Sequence, residues 1–268
     1  MKTKNIVKIL VFSVLCLALA DLLWAQDALM HAYSAEISAE SPAAGCFSPA
    51  YAGSRFRNDF GMKKLMFADV FGMFSFRKNA VFLSVSHYGY ANYGDFRMSA
   101  GYGRNFGDHF AMTARVFYLM AHARGYPPRH SLSVDFAVAC KVSSKLLLDA
   151  AAYNPFMLRY GVVGQEVIPM RFVVGCAYLP TRKLLVSLRM SKTLPGEWEV
   201  GCRVMSQPAP PLLVAAECTN SHLGLLVGWL CGRFLLSVQA AWHYRISVSP
   251  QLAVEYFGGG TEVNSRSQ

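Results

Sequence analysis

The chain has 268 residues, 53% of them apolar and only 16% charged, with a formal net charge of +10. A soluble domain carries nearer about 25% charged residues. No run of about 18 uncharged apolar residues follows the N-terminus, which excludes a bundle of membrane-spanning helices.

Residues 1–25 read as an export signal. Lys2, Lys4 and Lys8 form a basic head, Ile9 to Ala20 an apolar stretch, and Leu23-Trp24-Ala25 offers a small residue before a cut ahead of Gln26. The stretch is short for a retained anchor, and Cys16 lies too far inside it for lipid attachment. Removal takes three lysines and one aspartate from the net +10 and leaves +8. These charges are spread singly along the chain. They fit an anionic lipid surface or a polar lumen and argue against nucleic acid as a partner.

Residues 26–62 open with a mixed segment, followed by Ser41-Pro42-Ala43-Ala44-Gly45 and Ser48-Pro49-Ala50-Tyr51-Ala52-Gly53. This composition does not suit a central strand, and the expectation is an N-terminal plug or periplasmic segment.

From 63 to 257 the chain reads as short alternating segments separated by turns. In Ser131–Lys141, Leu132, Val134, Phe136, Val138 and Cys140 face one way, and Ser133, Asp135, Ala137, Ala139 and Lys141 the other. That period of two marks a strand with one apolar face. The pattern recurs around Phe172–Tyr178, Leu184–Met190, Trp198–Val204, Phe234–Tyr244 and Leu252–Tyr256, with turns at Arg77-Lys78-Asn79, Gly107-Asp108, Ser143-Ser144, Leu194-Pro195-Gly196 and Cys231-Gly232. Segments of this length suit tilted membrane strands. Residues 155–169, with Pro155, Gly161, Gly164 and Pro169, form a longer connection.

The second face mixes charges with Gly, Ala and Ser, as a crowded barrel interior does and the watered face of a sandwich does not. Tyr88, Tyr90, Tyr93, Phe106, Tyr153, Tyr178, Trp198, Trp242, Tyr244 and Tyr256 stand near strand ends like an interfacial girdle. The expected fold is all-β: a transmembrane antiparallel up-and-down β-barrel of 12–14 strands, 12 or 14 because about thirteen segments alternate and bacterial barrels prefer even numbers. Residues 258–268 form a polar Gly/Ser tail expected to be disordered.

The six cysteines beyond Cys16 show no C-x-x-C pair or zinc spacing, so no metal and no cofactor are expected. The histidines are scattered and no serine has a G-x-S-x-G setting, so a non-enzyme is expected. The charges on the second face are Asp135, Lys141, Asp149, Arg171, Arg189, Glu197, Glu199, Arg203, Glu217, Arg245 and Glu255. They would line a lumen that selects a polar or charged solute, or they would salt-bridge into a closed interior.

The C-terminal half carries a particular order. Val174-Gly175-Cys176-Ala177-Tyr178-Leu179-Pro180 is followed by a strand ending in Ser191-Lys192, then by Trp198-Glu199-Val200-Gly201, and the chain closes with Ser249-Pro250 and Leu252–Tyr256. This resembles the PorV/PorQ-like outer-membrane barrels, relatives of the FadL-type transporters associated with type IX secretion. Ser48-Pro49-Ala50-Tyr51-Ala52-Gly53 is similar to their N-P-A-x-x-G segment, with Ser48 in place of Asn. The resemblance implies a 14-stranded barrel with an N-terminal plug in a Gram-negative outer membrane and no catalytic residues. Its role would be transport of a hydrophobic small molecule or docking of secretion-system or surface proteins. The alternatives are a closed structural barrel that binds surface partners through its loops, or a membrane acyl hydrolase, which would require a Ser–His pair at the membrane boundary.

Overall fold

The computed structural model describes residues 41–62, 64–90, 92–159, 167–244 and 246–258. The export signal, residues 26–40, Arg245 and the tail beyond Gly258 lie outside the described residues.

Fourteen antiparallel strands close into one barrel. They are β1 (Tyr51–Asn58), β2 (Met66–Phe76), β3 (Asn79–Tyr90), β4 (Tyr93–Phe106), β5 (Phe110–Ala123), β6 (Arg129–Ser143) and β7 (Leu146–Tyr153), then β8 (Met170–Thr181), β9 (Leu184–Leu194), β10 (Trp198–Ala209), β11 (Leu212–Thr219), β12 (His222–Cys231), β13 (Phe234–His243) and β14 (Val248–Phe257). Each strand pairs with its neighbours in sequence. β1 closes the ring against β14, with Tyr51 opposite Phe257 and Arg57 opposite Gln251.

Alternation decides which side chains meet which medium. In β12, Leu223, Leu225, Val227 and Trp229 point out, while Gly224, Leu226, Gly228 and Leu230 point in and are buried. Exposed large apolar side chains recur around the wall, among them Val70, Leu83, Met98, Val116, Leu132, Val174, Leu188, Val200, Leu236 and Leu252. So continuous an apolar belt belongs against lipid hydrocarbon, not water.

The two ends differ. At one end every connection is two or three residues long, from Arg77-Lys78 to Gly232-Arg233, and Gly107 and Gly232 take the left-handed backbone those tight turns require. At the other end the connections include residues 59–65, 124–128 and 154–169.

The interior follows the same axis. Near the short turns it is an apolar core of Met73, Phe82, Leu147, Leu185, Met205, Leu213, Leu235 and Phe257. A single turn of helix, α1 (Pro42–Gly45), is inserted there against β5, β6 and β7, with Ala43 and Ala44 wholly buried. Its Pro-Ala-Ala-Gly composition lets the backbone fit a space already filled by large side chains. Asn105 Nδ2 donates to the Cys46 carbonyl at 2.9 Å, and Gly103 leaves room for the Cys46 sulfur, which lies 2.5 Å from where a Cβ would stand.

One boundary differs from the sequence reading. Residues 51–58, grouped there with the N-terminal segment, form the closing strand. Pro49 lies two residues ahead of that strand and removes no ladder hydrogen bond. Gly53 is needed inside it because a Cβ would come within 2.8 Å of the Phe71 ring.

Candidate functional site

Toward the long loops the interior turns polar and opens into a cup made of two adjoining cavities, of about 470 Å³ and about 560 Å³. Seven arginines line them: Arg55, Arg57, Arg97, Arg115, Arg171, Arg189 and Arg203. Six carboxylates accompany them: Asp59, Asp69, Asp95, Asp135, Glu199 and Glu217. The mixture follows from register. A glycine facing inward gives a long side chain on the next strand its space, as Gly101 does for Arg115, whose Cγ would clash with a Cβ there.

Cross-strand neighbours form the ion pairs. Arg55 Nη2 donates to Asp69 Oδ2 at 2.6 Å across β1 and β2. Arg57 holds Asp59 through Nε at 2.6 Å and Nη2 at 3.3 Å. Arg203 donates to Glu217 across β10 and β11. Arg115 faces Asp135 at 3.6 Å, both buried, and Asp135 Oδ1 also accepts the Asn154 backbone N–H at 3.0 Å. Asn154 in turn donates to the Ile168 carbonyl at 2.7 Å and accepts from Leu158 N–H at 3.0 Å. One carboxylate in the wall is thereby tied to both ends of the 154–169 connection.

Several guanidiniums stand over aromatic rings: Arg55 over Phe71 at 4.4 Å, Arg57 over Phe67 at 5.0 Å and Arg115 over Phe117 at 4.9 Å. Arg115 and Arg171 both lie over Tyr153, at 5.8 and 6.0 Å. Tyr88 and Tyr153, read from sequence as girdle residues, line the cavity, whereas Tyr93, Phe106, Tyr178, Trp198, Trp242, Tyr244 and Tyr256 are exposed.

Of the charges picked from sequence, Arg171, Arg189, Glu199, Arg203 and Glu217 share the first cavity, and Asp135 lines the second beside Arg171. Asp149 is buried in the wall, its carboxylate lying against Gly175. Glu255 is buried beside Gly53, below the cup. Lys141 is at the short-turn end of β6, next to a bulge. Glu197 lies exposed in the turn ahead of β10: the alternation extends one residue too far, because pairing begins only at Trp198. Arg245 is outside the described residues. Sequence reasoning missed Arg55, Arg57, Asp69 and Arg115. Arg115 stands in phase with inward Ala111 and Thr113, a signal that was present in the sequence.

A hydrogen-bonded cluster occupies the rim between β11 and β12. Ser221 Oγ lies 3.0 Å from His222 Nδ1 and donates to Glu199 Oε1 at 3.1 Å. Thr219 Oγ1 shares the same Nδ1 at 3.0 Å. Glu217 Oε1 is 3.9 Å from His222 Nε2, too far for a hydrogen bond, and Glu217 already accepts from Arg203. The cluster contains a Ser–His contact but no acid bonded to the histidine. Among the described residues, no group of three or more His, Cys, Asp or Glu side chains is placed to hold a metal ion.

No protein-family model matches the chain, and no curated protein does. Solved structures with a similar backbone include the P. putida toluene transporter TodX, with TM-score 0.61, 6% identity, and 81% of this chain and 92% of that chain covered. The CymD monoaromatic hydrocarbon channel aligns with TM-score 0.55 and 7% identity over 81% of this chain and 91% of that one. At such identities the likeness is one of fold.

Proposed function

We propose that this chain is a plugged transport barrel of a Gram-negative outer membrane, exported by a cleaved signal and acting without catalysis, that receives a solute in the cup at its long-loop end. The carrying observation is the asymmetry of the lumen: a polar cup at one end, and an apolar layer with α1 packed into it at the other. Bacterial barrels carry short turns on the periplasmic side and longer loops outside, so the cup faces the exterior and the plug faces the periplasm. TodX and CymD, which share the fold, are hydrocarbon channels by their names, which supports a transport role for a barrel of this shape.

The test is swelling of liposomes that hold the refolded mature chain, with small neutral and charged solutes outside. Faster swelling than in protein-free liposomes is expected. Swelling at the protein-free rate would overturn the proposal and favour the docking reading, in which the loops engage secretion-system or surface proteins as the PorV/PorQ-like motifs imply. An acyl hydrolase is the reading favoured by the Ser221–His222 contact. The Glu217 distance and its engagement by Arg203 weigh against it.

A further inference from the structure

The two chambers of the cup have four lining residues in common: Arg55, Arg57, Arg171 and Phe67. Three are guanidiniums and none is a carboxylate. Asp59 borders only the first chamber and Asp69 only the second, so the acids paired with Arg57 and Arg55 stand to either side of the neck.

The neck is also assembled from opposite walls. Arg55 and Arg57 project from β1, and Arg171 projects from β8, which is seven strands away in either direction round the ring. No local pairing explains their meeting. β8 carries its arginine at a level where β1 presents two more, and each is laid on a ring, Phe71, Phe67 or Tyr153. A guanidinium is a planar fork of donors, which loses less freedom on gripping an oxyanion than a lysine would. Phe67 adds an apolar surface at the same point.

We infer that this neck is a binding site for the oxyanion of a small organic acid or phosphate ester, gripped from both walls by Arg57 and Arg171. The inference rests on the cup being the solute entry proposed above. It narrows the solute to an anion with an apolar or ring-bearing part, rather than the uncharged hydrocarbon that the structural neighbours would suggest.

The experiment is calorimetric titration of the folded mature chain with benzoate, with inorganic phosphate, and with benzamide as the uncharged match for benzoate. At least one anion is expected to bind about tenfold or more tighter than benzamide, the difference a hydrogen bond to a charged group commonly makes, and more weakly as salt is raised. Tighter binding of benzoate assigns the site to carboxylates, and tighter binding of phosphate to phosphate esters. Arg57→Gln and Arg171→Gln should each weaken the anion about tenfold or more, with Arg171→Lys intermediate. Arg104→Gln, on the outer face over Phe106, should change nothing. Heat-modifiable migration on gels confirms that each variant is folded. Anions that bind no tighter than benzamide, or binding indifferent to both arginine substitutions, would overturn the inference. Swelling by neutral solutes without anion preference would leave the transport reading standing, whereas anion binding without swelling would overturn that reading alone.

Discussion

At Asp135 three demands meet on one carboxylate: the Arg115 guanidinium 3.6 Å away, the Asn154 N–H and burial in the wall. A buried pair is held by mutual compensation, so removing one partner leaves a buried charge and costs about 3–5 kcal/mol, while removing both together costs much less. Arg115→Met should therefore destabilise the barrel by about 3 kcal/mol, and Arg115→Met with Asp135→Asn should restore most of it, as read by urea unfolding in micelles. Equal losses in the single and double variants would show that the pair is not coupled. Single residues were also where the sequence was hardest to read. Arg171, Arg189 and Arg203 alternate cleanly with apolar neighbours and line the first cavity. Arg55 and Arg57 follow a Pro-Ala-Tyr-Ala-Gly opening that resembles a turn, and only their pairing across the closure with β14 shows that they face inward.

For the elements, strand periodicity was the strongest signal in the sequence, because lipid on one side and a filled lumen on the other impose opposite chemistry at every second residue. Strand ends were weaker, as Glu197 shows, since alternation does not announce where pairing stops. The N-terminal segment stands out from the strands by its composition, but the seat of α1 is not legible there, because it depends on Gly103 and Asn105 more than fifty residues on. The seat offers a direct test of gating. A Gly103→Cys substitution puts a second thiol beside the Cys46 sulfur, within reach of a disulfide that would fasten α1 to β4. Burial pushes the native Cys46 thiol up to about 12, so little thiolate forms at neutral pH and the bridge needs an added oxidant such as diamide. If α1 must move for solute to pass, oxidation should abolish swelling and a reductant should restore it. Unchanged swelling in the oxidised variant would mean that solute bypasses α1.

The molecule as a whole is organised by depth. Its outer wall is apolar at mid-height and aromatic toward the rims, and the lumen runs from an apolar floor to a charged cup. A cation introduced on the outer face should reveal the hydrocarbon layer directly: Val227→Arg, midway along β12, should cost about 2–4 kcal/mol in phospholipid vesicles, and Phe234→Arg, at the short-turn rim, about 0–1 kcal/mol. Equal costs at both positions would contradict the membrane placement. Architecture was the level most open to sequence reading, since strand grammar repeats along most of the chain. The arrangement of the cup was closed to it, because residues on β1 and β8 share a cavity only once the ring is shut.

That closure sets the order of assembly. Among the described residues β1 is the first strand, and its partner β14 is the last. Until β14 arrives, β1 and each newest strand expose unpaired N–H and C=O groups beside an apolar face, the condition in which chains adhere to one another. Contacts this distant in sequence also form late. The unclosed chain is therefore open to aggregation, and a truncation that removes only β14 should lose the whole barrel to aggregation or proteolysis, not merely one of its staves.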